Sequence, residues 1–426
     1  MTHKPKLLFV LLDGLGDVSI PEFKNKTPLE QAPTPFFDKL ASTGITGIHD
    51  PFSPGIACGS DTAHFNMFGY PPREFYRSRG AMECLGSGLV MRPGDIGFKS
   101  NFATMDSDGK TVKCRRADPN FTIEGSELCA TLIDGLKLPE FPEVEIFCKY
   151  ATEHRCGIVI SSPKPLSDSI TGTDPIKDGK QLLLSRPLPG FEDDEDAIYT
   201  AAVTNALSDA IRDVLLPHRI NIEREQQGKP LADVVLLRAP GKRDDVPSYK
   251  ERNDLDISMV TGTAVIRGLG LSLGMNVLTD VPGAMGDYHS NFVRKVHFAM
   301  NHLIKTDDDV MFCHLKATDE ASHDNNPHLK SHLISMADAA VRNAVDQYKY
   351  DNLYIIVTGD HTTSCFMKEH SSNPVPFLLN GPGILGDEVR EFSEKTAGRG
   401  RLGRFLGSDI TYIVQKALWD PSILNE

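Results

Sequence analysis

NLYIIVTGDHTTSCFMKEH, residues 352–370, is the stretch on which the reading of the fold turns. Its first half is a short apolar run that stops at Gly359, Asp360 and His361. Such runs, without polar alternation, form strands covered on both faces, as in a parallel sheet flanked by helices. An aspartate and a histidine together at the end of a buried strand are costly unless something satisfies both side chains. A metal ion does so, and His370 adds a further imidazole.

Two more segments have the same form. KLLFVLLD (6–13) ends on Asp13 and DVMFCHLKATD (309–319) ends on Asp319. In open α/β sheets, functional residues gather at the carboxyl ends of strands, so three acids at three such ends describe a shared site. Helical patterns lie between the strands: APTPFFDKLASTG (32–44), with a Thr/Pro start and a Gly stop, HSNFVRKVHFAMNHLIKT (289–306) and HLISMADAAVRNAVDQY (332–348). The alternation predicts a doubly wound, mostly parallel α/β layer.

The pattern changes in the middle. VEIFCKYA, CGIVIS and ADVVLLRA are short β-like runs, and FEDDEDAIY (191–199) reads as a solvated surface turn. Residues 95–255 are therefore read as a smaller α/β domain inserted into a discontinuous one, 1–94 and 256–426. GTAVIRGLGLSLG (262–274) lacks the full dinucleotide fingerprint and predicts a helix packed closely through small residues.

Composition narrows the function classes. The formal net charge of -13 disfavours nucleic acid or an anionic membrane as a partner. The apolar run after the basic start is too short for a signal peptide and ends on Asp13. No apolar stretch approaches the ~20 residues of a transmembrane helix. The eight cysteines form no C-x-x-C pair and are scattered along the chain, which fits a reducing cytoplasm.

The chemistry-bearing residues fall in four places. Asp319 and His323 are four apart, one face of a helix, and could reach one metal with His370 as a third ligand. Asp360-His361 and Asp13 add further ligands, and seven candidate groups so far apart in the chain suggest two metals. Two-metal sites handle phosphoryl groups. In GIACGSDTAHFNMFGY (55–70), Ser60 precedes a predicted helix beginning at Asp61. A hydroxyl there faces unpaired N–H groups that favour phosphate, and a metal would make it a nucleophile. Thr62 is the reserve nucleophile. Arginine forks bind carboxylate and phosphate bidentately, and a chain this acidic needs a cluster of them to hold an anion.

The stretches FVLLDGLGD, TPLEQAPTPFFDKLASTG, GSDTAHFNMFGY, RGAMECLGSGLVMRPGDIGFKSNFAT, EHRCGIVI, TGTDP and HLKATDEASHDN, with GDHTT and His370, are similar to the archaeal-type 2,3-bisphosphoglycerate-independent phosphoglycerate mutases of the alkaline phosphatase superfamily. The likeness spans most of the chain and is weaker between about 180 and 230. It implies an alkaline-phosphatase-like sheet with an inserted domain, and interconversion of 3- and 2-phosphoglycerate without 2,3-bisphosphoglycerate, in glycolysis or gluconeogenesis. It implies one metal held by Asp13, Ser60, Asp360 and His361 and a second held by Asp319, His323 and His370. Ser60 would be transiently phosphorylated, with His154, Arg155, Arg116, Arg238 and Arg267 contacting the substrate, a small phosphorylated three-carbon acid. Manganese is the expected ion, with Zn, Co and Mg as alternatives. Asp118-Pro119 departs from the Gly-Arg more usual in the family. A phosphatase or phosphodiesterase of the same superfamily and a metal-binding scaffold without activity are the competing readings.

Overall fold

The computed structural model describes residues 3–76, 78–279 and 281–426. The chain folds as two compact units. One comprises the chain up to Tyr76 and from Pro247 onward, and the other comprises the segment between. Both boundaries lie earlier than 94/95 and 255/256, for packing reasons. Helix Arg79–Gly86 belongs to the smaller unit, where Gly80 lies directly against the backbone carbonyls of Gly97 and Ala239. Helix Tyr249–Asn253 belongs to the larger one, where the Tyr249 ring meets Phe68 edge-on at 6.0 Å.

The larger unit is built on an eight-stranded sheet. Its strand order is Asn276–Leu278, Ile257–Val260, Val310–Leu315, Lys6–Leu12, Leu353–Thr358, Val375–Asn380, Ile45–Asp50, Gly403–Leu406. Only Val375–Asn380 runs against the others, so the fold is α/β with a large, mostly parallel sheet. The central strand Lys6–Leu12 is buried along its whole length, as its unbroken apolar run requires. Leu12 lies opposite Leu315, and Leu11 lies opposite Thr358. The three predicted strands therefore end level with one another.

One predicted strand is shorter than its sequence suggests. DVMFCHLKATD is strand only to Leu315, and the chain turns at once into helix Ala317–His323. Asp319 thus stands in a helix's first turn, where acids are favoured. Helices Pro35–Thr43, Phe292–Lys305 and Pro327–Tyr348 cover the sheet and send Phe37, Val296, Met300, Ile334 and Val341 into one core with Leu8, Val10 and Val357. The last begins ahead of its apolar pattern because Asn326 accepts a hydrogen bond from the Leu329 N–H at 3.0 Å and Pro327 suits the first turn. Helix Ala264–Ser272 does pack through small residues, with Gly270 against Met259.

In the smaller unit, strand Ile96–Met105 pairs antiparallel with Arg155–Ser161 and with Val234–Lys242, and Glu145–Thr152 forms an edge. This sheet is antiparallel where the larger is mostly parallel. Helices Thr122–Gly135 and Glu195–Leu215 fill its core with Leu128, Leu132, Leu207 and Ile211. FEDDEDAIY is more than a surface turn. Asp194 caps the second of these helices by accepting from the Ala197 N–H at 2.8 Å, and Glu195 and Asp196 occupy its first turn, where they complement the helix dipole.

A buried cation ties the larger unit's loops together. Lys330, fully buried, donates to Gly16 O at 2.9 Å, Asp17 Oδ2 at 3.0 Å and Thr363 O at 2.9 Å. Replacing Lys330 by methionine keeps the volume but leaves Asp17 buried without its partner. The variant is expected to lose about 3–5 kcal/mol of stability, measured by denaturant unfolding.

Candidate active site

Because the three strands end level, the residues that follow them converge. Asp13 follows Lys6–Leu12, Lys316 and Asp319 follow Val310–Leu315, and Asp360 and His361 follow Leu353–Thr358. Gly14 makes the turn after Asp13 with φ +62, and its N–H donates to Asp360 Oδ1 at 3.0 Å. A side chain at Gly14 would run into Thr363 and Asp319, so this close approach requires glycine.

Helix Ser60–Met67 brings Ser60 to the same place, with Oγ 3.0 Å from His361 Nε2. That nitrogen is also 3.2 Å from Asp360 Oδ2 and 3.6 Å from Asp13 Oδ1. Ser60, rather than Thr62, carries the hydroxyl that faces this histidine. A second group adjoins the first. Asp319 Oδ2 lies 3.4 Å from His323 Nε2, and Asp319 Oδ1 lies 3.5 Å from His370 Nε2. The His361 and His370 rings stack at 3.7 Å and join the two groups.

Each of these histidines is held by its other nitrogen. Nδ1 meets Thr363 Oγ1 in His361, Lys368 O in His323 and Cys58 O in His370, at 2.8–3.0 Å. All three thus turn Nε2 toward the carboxylates, the orientation that outer hydrogen bonds impose on metal ligands. Asp13 Oδ1 and Asp360 Oδ2 are buried and have no hydrogen-bond partner among the described residues. Unpartnered carboxylate oxygens beside inward-facing imidazoles form a donor set that fits divalent cations.

The smaller unit holds a cationic cluster. Arg115 grips Asp174 with two bonds, at 2.7 and 2.6 Å, and Arg238 Nε lies 2.6 Å from the same carboxylate. Arg155 is half-exposed and 3.4 Å from Glu153, and Arg116 is exposed. His154 is buried, and its pKa falls to about 4 because burial and the charges of Arg155, Arg116 and Arg238 all oppose a further proton. Four of the five expected substrate contacts therefore gather in one place. Arg267, the fifth, is on helix Ala264–Ser272 of the larger unit.

The sequence profile of the 2,3-bisphosphoglycerate-independent phosphoglycerate mutases matches residues 41–221. The mutase so named in Saccharolobus islandicus is 40% identical over 410 residues, 96% of each chain. The one in Pyrococcus furiosus is 38% identical over 412 residues, again 96% of each chain. The chain belongs to this family. The solved cofactor-independent phosphoglycerate mutase of Thermoplasma acidophilum superposes with a TM-score of 0.73 at 32% identity, covering 97% of this chain and 100% of that one. Membership of these isomerases favours neither the hydrolase reading nor the inactive scaffold.

Several residues of this phosphoglycerate mutase carried no assigned role in the sequence reading. Lys316 reaches Asp319 Oδ2 at 2.5 Å and Asp13 Oδ2 at 3.2 Å, one acid from each group. His64, four residues after Ser60, is buried 3.6 Å from Asp360 Oδ2, and Asp174 anchors the arginines. All three lie inside stretches that carry the family likeness, HLKATDEASHDN, GSDTAHFNMFGY and TGTDP, but a bare lysine or aspartate there has no distinguishing spacing. Asp118, where the chain departs from the family pattern, pairs with buried Arg224 at 3.0 Å, a packing role.

The two metal-type groups differ in what they must lose to bind a cation. Burial, then the charge of Asp360, raises Asp13 to about 7, so below that pH it keeps a proton that a ligand must give up. The hydrogen bond with Asp319 raises His323 to about 9, so it is still protonated at pH 8. Cation binding to the metal-free mutase is expected to release more protons at pH 6 than at pH 8. The pH 8 release should fall in His323→Ala. Calorimetry in buffers of different ionisation enthalpy measures both, and equal release at the two pH values would refute the assignment.

Proposed function

We propose that this mutase interconverts 3- and 2-phosphoglycerate through a phosphoserine at Ser60, with two divalent cations, manganese first among them. Asp13, Ser60, Asp360 and His361 would hold one and Asp319, His323 and His370 the other. When bound, these ions supply positive charge that lowers the pKa of the serine hydroxyl and neutralises phosphoryl oxygens. The observation that carries the reading is the position of Ser60: its hydroxyl, at a helix N-terminus, faces His361 Nε2 amid buried, unpartnered carboxylate oxygens.

The chain's own groups do the rest. Ser60 Oγ forms a bond to phosphorus as the bond to the glycerate oxygen breaks, and the proton lost by the serine matches the one gained by that oxygen. The glycerate then turns and offers its other hydroxyl to the phosphoserine, reversing the exchange. Lys316 is held protonated because Asp13 and Asp319 outweigh its burial, and it offsets charge on the side of both acids. Arg116, Arg155 and Arg238 grip the glycerate carboxylate, with Arg238 held in place by Asp174 and His154 kept neutral. Water must stay away while the glycerate turns, or the phosphoserine hydrolyses. We place the reaction in the cytoplasm. All eight cysteines are unpaired, and no helix among the described residues is long and apolar enough to cross a membrane.

Ser60→Ala should abolish turnover while cation binding to the remaining six ligands persists. Arg155→Ala should weaken the grip on glycerate by about 1.5–3 kcal/mol, roughly 10- to 150-fold in residence. Isomerisation then falls more than Ser60 phosphorylation, and phosphate released per 2-phosphoglycerate formed rises. Both products are measured in one reaction. An unchanged ratio with both rates lowered would assign Arg155 to the phosphoryl group or to folding.

A further inference from the structure

The smaller unit's core contains another convergence of ligand-type side chains, which the reaction above does not use. Cys129 stands on helix Thr122–Gly135, Cys148 on strand Glu145–Thr152 and Cys156 on strand Arg155–Ser161. The two strands are antiparallel, with Cys148 opposite Ile158 and Tyr150 opposite Cys156. The two cysteines are therefore diagonal neighbours on one face. The helix crosses that face closely, because Gly125 lies where any side chain would meet the Tyr150 ring at 2.5 Å. The three sulfurs lie within 4.8 Å of one another, all are buried, and none is in a disulfide.

We propose that Cys129, Cys148 and Cys156 form a three-thiolate site for one soft, thiophilic d10 cation. Thiolates select soft ions, in contrast to the oxygen and nitrogen donors around Ser60. With metal–sulfur bonds of about 2.3 Å, three sulfurs around one ion stand roughly 4 Å apart, within the observed spacing. Among the described residues, no fourth histidine, cysteine or carboxylate joins the group, so a closed four-ligand zinc site lacks a donor. A three-coordinate soft ion needs none.

Binding exchanges three S–H bonds for three metal–sulfur bonds and releases three protons, with no change of oxidation state. A divalent ion leaves one net negative charge and a monovalent ion leaves two, so the apolar core around Leu128, Leu132 and Ile158 favours the divalent ion. Hydrogen bonds from Cys148 and Cys156 lower the Cys129 thiol, while the contact with Cys129 raises Cys148 and burial raises Cys156, so the ion must displace two firmly held protons. Glu145–Thr152 is an edge strand in which only Cys148 is buried, so local opening of that edge admits the ion. The bound ion staples the helix to the hairpin that carries His154 and Arg155.

The test uses Cd(II) on the reduced full-length chain, with manganese already saturating its own sites. Expected are a sulfur-to-cadmium charge-transfer band that saturates at one equivalent, three sulfur neighbours by X-ray absorption and release of up to three protons. Outer hydrogen-bond partners of metal ligands are each worth 10–100-fold in affinity, so Cys129→Ser, Cys148→Ser and Cys156→Ser should each weaken binding by at least about 100-fold. Cys58→Ser and Cys114→Ser, at the two thiols outside the buried set, should leave the band in place. Circular dichroism checks that the serine variants fold, and the sulfur count on the unmodified chain decides the matter without them. The proposal is overturned by fewer than three sulfur neighbours, by a band that follows Cys58 or Cys114, or by a disulfide between two of the three cysteines in the purified chain.

Discussion

Asp13, Asp319 and Asp360 are buried to within 2% of completely, the first and last just after adjacent strands and Asp319 in the helix that follows a third. Two unit charges about 4 Å apart repel by roughly 4 kcal/mol at the effective dielectric of such a site, several times the worth of a surface ion pair. The surroundings answer this repulsion. Lys316 bridges Asp13 and Asp319, Gly14 and His361 turn backbone N–H groups to Asp360 Oδ1, and Asp13 is pushed up toward neutrality. Among the described residues, Asp13 Oδ1 and Asp360 Oδ2 still have no hydrogen-bond partner, with His361 Nε2 3.6 and 3.2 Å from them. A fold that gathers acids in this way and leaves them incompletely compensated is one in which cation binding and stability are coupled.

The parallel register is what makes the gathering possible. Leu12, Leu315 and Thr358 end level because their strands are hydrogen-bonded neighbours in one sheet, and a one-residue slip would turn the following side chains to the other face. Short loops after each strand then leave little choice of where Asp13, Lys316 and Asp360 project. Lys330 ties two of these loops together by donating to the backbone carbonyls of Gly16 and Thr363.

Much of this was legible in the chain because a fully buried parallel strand is a short apolar run with a sharp polar end. Asp13, Asp360 and the Asp319/His323 spacing stand out on that pattern alone. The end of DVMFCHLKATD did not, since periodicity cannot separate the last residues of a buried strand from the first turn of a buried helix. Asp194 in FEDDEDAIY was hidden for a related reason: an acid run in a solvated turn and an acid run that caps a helix have the same composition. Lys316 and Asp174 are recognisable only by their partners, which lie elsewhere in the chain. The scattering of the cysteines was equally uninformative, because Cys129, Cys148 and Cys156 meet across three elements whose pairing no local spacing records.

The chain's charge of -13 and its anionic substrate are reconciled by distance. At physiological ionic strength the field of exposed carboxylates is largely screened beyond about 8 Å. Contacts within the arginine cluster act at hydrogen-bond range, partly out of water, where screening is weak. The surface charge therefore bears chiefly on the rate of encounter, while in the proposed mechanism Arg116, Arg155 and Arg238 set retention. Retention matters more for an isomerase than for a hydrolase, because the proposed phosphoserine must return its group to the same glycerate. Asp174 serves that end. By fixing Arg115 and Arg238 on one carboxylate it spends one negative charge to pre-organise two cations, while Arg116 and Arg155 stay exposed, as the proposed grip on an anion requires.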